Sequence, residues 1–162
     1  MKKFTALMLV LSMFFLWGCQ SAEPNGASFY YSRQPDQFQY FREDGVISYE
    51  TRDLAGHRND LRYMVGLYLA GPLDESLALP FPNTIRLLNV VQTGDLIIIE
   101  LSDHASTLID SEFTLGCTCL ALTCMDFTPC NVVTVTSGSR TITLNKDSIL
   151  LFDSQQQDSN GG

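Results

Sequence analysis

The chain is 162 residues long, with 45% apolar residues, 17% charged residues and a formal net charge of −8. That length and apolar content suit one domain with a buried core rather than a disordered polymer. The excess of 18 acidic over 10 basic residues argues against nucleic acid as a partner and leaves no basic patch to hold anionic lipid.

Met1-Lys2-Lys3, the apolar run from Phe4 to Trp17 and Gly18-Cys19 have the charged, apolar and small-residue regions of an export signal. At about 14 residues, the run falls short of the roughly 20 needed to cross a bilayer as a helix. The segment resembles a bacterial lipoprotein signal peptide, with Leu16, Gly18 and Cys19 at the motif positions and Trp17 departing from the usual small or β-branched residue. The resemblance implies cleavage before Cys19, a diacylglycerol on its thiol, and a domain anchored to the membrane on the extracytoplasmic side. Removal of residues 1–18, with Lys2 and Lys3, leaves 144 residues and a net charge of −10. Membrane attachment is then expected through the Cys19 lipid alone, two acyl chains being enough for stable anchoring.

Residues 19–37 are polar and contain Pro24, Gly26 and Pro35, which reads as a flexible tether. Phe29-Tyr30-Tyr31 is the exception, an aromatic run suited to an added edge strand, a contact at the membrane surface, or a strand or loop packed on the domain. The domain proper is expected over residues 38–153. Phe38 to Phe41 and Val46 to Glu50 flank Asp44-Gly45 and predict a hairpin. Leu61, Val65 and Tyr68 recur at helical spacing between about His57 and Ala70, and Gly71-Pro72 closes the segment. Leu73 to Asn83, with Pro80 and Pro82, reads as a loop. A second hairpin joins Ile85 to Val91 with Leu96 to Leu101, the second strand apolar on both faces and therefore central. A second helix over Ser106 to Phe127 carries a stripe of Phe113, Cys117, Leu120, Cys124 and Phe127. Asn131 to Thr136 and Thr141 to Leu144 predict a third hairpin turned at Ser137-Gly138-Ser139, and Ile149 to Phe152 a last edge strand. Residues 154–162 lack apolar side chains and are expected to be a disordered tail. The element order predicts an α+β fold, a mainly antiparallel sheet with two helices packed on one face.

Leu69-Ala70-Gly71-Pro72 after a helix, Pro82-Asn83-Thr84 before a strand, Ile99 to Ser102 closing a hairpin, and Thr123 to Phe127 ending a helix together resemble the GerMN domain of sporulation and spore germination lipoproteins. The resemblance spans about residues 38–153, in one copy. It implies a helix–strand–strand–helix–strand core like that of ring-building motifs, with Gly71, Pro72, Pro82, Thr84 and Ser102 as structural motif positions. It further implies a non-enzymatic interaction or scaffold role toward other envelope proteins, association with copies of itself, a place in sporulation or germination assemblies, and no cofactor.

Cys117, Cys119, Cys124 and Cys130 fall within fourteen residues and define the alternative, a thiol- or metal-dependent envelope protein. On a helix Cys117 and Cys119 point some 200° apart and cannot share a tetrahedral metal without a break. Core packing, a Cys124–Cys130 disulfide and a metal site all remain open, with packing favoured by the stripe. Ser102-Asp103-His104 reads as a polar turn with a capping residue, because adjacent side chains diverge and no nucleophile turn is present. His57 and the pair Asp74-Glu75 read as solvated. Arg33, Arg42, Arg52, Arg58 and Arg62 against the acidic stretch 95–126 allow a head-to-tail contact between copies, or simply two solvated faces.

Overall fold

Residues Gly26–Arg33 form the first strand, β1, and side-chain alternation explains why. Ala27, Phe29 and Tyr31 fall on one side and are buried, a pattern that aromatic residues favour on a pleated surface. The computed structural model describes residues 26–34, 45–54 and 56–149. From Gly26 to Ser32, β1 pairs antiparallel with β2, Ile47–Asp53. The tether expected over residues 19–37 therefore gives way to a buried strand at Gly26. Burying Phe29 and Tyr31 stabilises the fold by roughly 1.5–3 kcal/mol each, more than a polar tether can offer in competition. Phe38 to Phe41, expected opposite Val46 to Glu50, lies outside the described residues, as do Cys19, the leader and the tail.

Asp60 opens helix α1, Leu61–Leu69, by accepting the Tyr63 N–H at 2.9 Å, so the helix starts later than the pattern from His57 suggests. It ends at Gly71, whose φ of +94° is open to glycine without strain. Within the expected loop, Leu77–Ala78 form a two-residue strand, β3, that pairs with Ser32 and Arg33 and completes a sheet of order β2-β1-β3.

The second hairpin forms as predicted, with β4, Leu87–Thr93, antiparallel to β5, Leu96–Leu101. Central β5 then pairs in parallel with β6, Val132–Ser137, and β6 pairs antiparallel with β7, Arg140–Asn145. The order β4-β5-β6-β7 makes a second sheet. Ile97, Ile99, Leu101, Val133 and Val135 are fully buried on its inner face.

Between β5 and β6 lie a 3₁₀ turn, Asp103–Thr107, and the long helix α2, Asp110–Phe127. The helix expected from Ser106 is interrupted because Leu108 and Ile109 are extended (ψ 152° and 158°). The chain is thus α+β, with two helices and two mainly antiparallel sheets. It differs from the expected single sheet with both helices on one face, since α2 packs against β1 of one sheet and against β6 and β7 of the other. The reason lies in α2 itself, where every residue from Cys119 to Met125 is buried. A stretch buried at every position needs cover on more than one side, and the two sheets supply it.

Candidate functional site

Of the structural motif positions, Gly71 and its neighbour Pro72 adjoin an ion pair that alternation along β2 places inward. Glu50 and Arg52 project to the same side of the strand, and Arg52 is only 9% exposed. The guanidinium pairs with Glu50, donates to the Gly71 carbonyl, to Leu67 O at 3.2 Å and to the Tyr31 hydroxyl at 3.1 Å, and lies 4.9 Å from the Phe29 ring centroid. Glu50 accepts the N–H groups of Leu73 and Asp74 at 3.0 and 2.7 Å. Burial alone would raise its pKa, but those amides and Arg52 hold the carboxyl below its ordinary value. The end of α1 and Gly71-Pro72 are thereby fastened to β2. Arg52 is consequently not a surface charge for a head-to-tail contact. Sequence reasoning missed this pair, although the period-two spacing of Glu50 and Arg52 was visible.

Tyr68 of α1 stacks on Tyr31 with centroids 5.0 Å apart and planes within 1°. Cys117, Cys119 and Cys124 lie near these rings. Cys117, Cys119, Cys124 and Cys130 are all free and buried. The Cys124–Cys130 disulfide, one of the alternatives left open beside the favoured core packing, is therefore not formed, and the Cys130 thiol donates instead to Gly94 O at 3.5 Å. Burial pushes Cys117 up to about 12, with Arg140 pulling slightly downward; it also pushes Cys119 up to about 12 and raises Cys124 further. A thiol that keeps its proton is a poor nucleophile and a poor metal ligand. Among the described residues no cluster of three or more His, Cys, Asp or Glu is arranged to hold a metal. Cys119, off the predicted stripe, is buried because α2 has sheets on both sides.

Ser102 does not cap a helix with its side chain. Its hydroxyl accepts the Arg86 N–H at 3.1 Å, its own N–H donates to Arg86 O at 2.9 Å, and its carbonyl accepts the Ser137 hydroxyl at 2.8 Å. It is a clasp between the ends of both hairpins, with His104 exposed in the turn beyond it. Thr84 is an exposed turn residue, and Pro82 O accepts the Ile85 N–H at 3.1 Å as that turn enters β4. His57 stacks on Tyr63 at 4.0 Å and is exposed. Asp74 accepts the Ser76 N–H at 2.8 Å, and hydrogen bonding from the Ser76 side chain, then from that N–H, lowers its pKa.

What the molecule presents outward is the outer side of the second sheet. Cross-strand partners Val91 and Ile98 are 45% and 41% exposed there. They continue across the sheet into Thr134 and Thr143, whose hydroxyls lie 3.0 Å apart. Rows above and below add Leu96, Val132, Thr136 and Thr141, and Glu100 is the one charged residue among the outward positions of the four strands.

The sequence matches no protein-family model and no curated protein. Among solved structures, a Clostridium perfringens chain named as a putative lipoprotein is similar at 18% identity, with a TM-score of 0.48 over 75% of this chain and 87% of that one. No helix among the described residues is long and apolar enough to cross a membrane.

Proposed function

We propose that the chain is a lipid-anchored, non-enzymatic interaction domain of the bacterial envelope, GerMN-like, that scaffolds sporulation or germination assemblies through the outer side of its second sheet. The observation that carries this reading is the almost uncharged sheet surface built on Val91 and Ile98. A sheet surface facing only water ordinarily alternates to polar and charged residues, whereas one that meets a partner keeps an apolar centre with hydrogen-bonding neighbours. The order α1-β4-β5-α2-β6, with the two-residue β3 between α1 and β4 and the 3₁₀ turn before α2 set aside, supports the GerMN-like part, being the helix–strand–strand–helix–strand succession that the resemblance implies. The Cys19 signal motif supports the anchor. No observation favours the thiol- or metal-dependent alternative.

Ile98→Asp tests it. The side chain lies outside the core, so the thermal midpoint should move by no more than a few degrees. Crosslinked complexes recovered from cell membranes with the wild-type chain should be lost with this variant. Recovery of the same complexes at undiminished yield would eliminate the sheet surface as the docking site.

A further inference from the structure

We infer that the domain stands end-on at the bilayer, with the start of β1 and the end of α2 nearest the lipid, so that its exposed apolar residues are turned to envelope proteins rather than to lipid. The inference rests on the proposed lipidation of Cys19. Its geometry begins at the α2–β1 contact. The Thr123 hydroxyl accepts the Tyr30 N–H at 2.9 Å and the Asp126 carboxylate accepts the Ser28 N–H at 3.2 Å, so α2 runs opposite to β1. Beyond α2, Cys130 meets Gly94 and the Asn131 N–H donates to Asp95 at 2.8 Å. At the other end, Arg140 of β7 donates to Leu108 O at 2.6 Å, just before α2 begins. The starts of β1, β5 and β6 and the end of α2 therefore share one end of the molecule.

Gly26 is at that end, seven residues beyond Cys19. Seven residues reach at most about 25 Å when fully extended, and β1 itself runs roughly the same length away from Gly26. The far end meets the bilayer only if residues 19–26 are drawn to their limit and the domain is inverted, whereas the Gly26 end meets it at any shorter extension.

Surface chemistry follows the same axis. Among the described residues, Asp53, Asp95, Asp126 and Asp147 gather at the Gly26 end against Lys146. Such an end gives anionic lipid no seat, which leaves tether length as the restraint. Among the described residues, none of the exposed large hydrophobic side chains lies there. Val46, Leu88 and Ile109 are at the far end, Val91 and Ile98 are on the outer sheet surface, and the others flank the middle of β2.

The full lipidated chain, reconstituted into phosphatidylcholine vesicles carrying a lipid-bound energy acceptor, tests this with a dye on Asp147→Cys or on Ser139→Cys. The native thiols of the domain are buried and leave the introduced cysteine as the labelling site. The ends are separated by roughly 20 Å, so transfer from position 147 should be at least about twofold stronger than from 139. Twenty Gly/Ser residues inserted between Ala22 and Glu23 should abolish the difference. A lipidated chain with equal transfer, or stronger transfer from 139, overturns the orientation, and a difference that survives the insertion overturns the tether as its cause. Intact mass lacking a diacylglyceryl Cys19 overturns the anchor itself, so the two failures are told apart.

Discussion

Gly116 shows how tightly single positions are fitted. It lies in α2 under the Phe81 ring, and a Cβ there would stand 2.4 Å from the Phe81 Cε1 atom. Alanine would gain about 1 kcal/mol of helix propensity, but forcing a methyl group against a buried ring costs about 1–3 kcal/mol. Gly116→Ala should therefore lower stability by roughly 1 kcal/mol in urea denaturation, and Phe81→Leu in the same chain should recover part of the loss. A stabilised Gly116→Ala chain would mean that the ring moves aside freely and does not hold the loop before β4. The Arg52–Glu50 pair has a different logic. Removing either partner leaves a buried charge facing donors or acceptors arranged for the other, a situation that costs about 3–5 kcal/mol in buried pairs. The pair therefore fixes where the end of α1 sits more than it adds net stability.

At the scale of elements, the junction between α2 and β1 is the least ordinary. Pairing with β2 leaves Ser28 and Tyr30 with N–H groups pointing the other way, and α2 answers them with Asp126 and Thr123. The Thr123 hydroxyl also donates to Cys119 O at 2.9 Å, so it serves both elements at once. Thr123→Val keeps the shape and removes both bonds, leaving the Tyr30 N–H without its acceptor, at an expected cost of about 1–3 kcal/mol. Amide exchange at Tyr30 should accelerate along with the fall in stability, and unchanged exchange would show that the strand edge is protected by something other than α2. Local patterns made the elements of the second sheet legible: the β4–β5 hairpin, the central place of β5 and the long helix can all be read from alternation and helical spacing. The division into two sheets was not legible, because it depends on what lies against each side of α2. Cys119 and Thr123 look incidental beside the stripe of Cys117, Leu120 and Cys124, yet β1 covers that second side. Phe29 and Tyr31 carried the matching signal but sat within a polar, proline-containing stretch whose composition spoke for a tether. The sheet surface around Ile98 was hidden for a similar reason, since an apolar outward position reads as burial until the layer opposite it is known.

For the molecule as a whole, burial of α2 on both sides has a consequence for pH. Cys117 and Cys119 hold their protons up to about 12 in the folded chain, and Cys124 is raised as well, whereas an unfolded cysteine ionises near pH 8.5. Between these limits the unfolded chain releases thiol protons that the folded chain retains, so alkali favours unfolding. The thiol contribution is complete below about pH 8.5 and falls away as pH rises toward 12, with Tyr31 and Tyr68, both raised by burial, adding to the loss above about pH 10. Glu50 acts in the opposite sense. Its lowered folded pKa makes its contribution complete above the unfolded value of about 4.3, and that contribution is lost as acid protonates the folded carboxyl. Urea midpoints measured from pH 3 to 11 should describe a plateau between about pH 5 and 8.5 with a decline on either side. Cys117→Ala with Cys124→Ala should flatten the alkaline limb, even though the cavities lower the plateau, and Glu50→Gln should flatten the acid one. An alkaline limb that stays level to pH 11 would require the thiols to ionise in place, and solvent would then have to reach a helix that two sheets enclose.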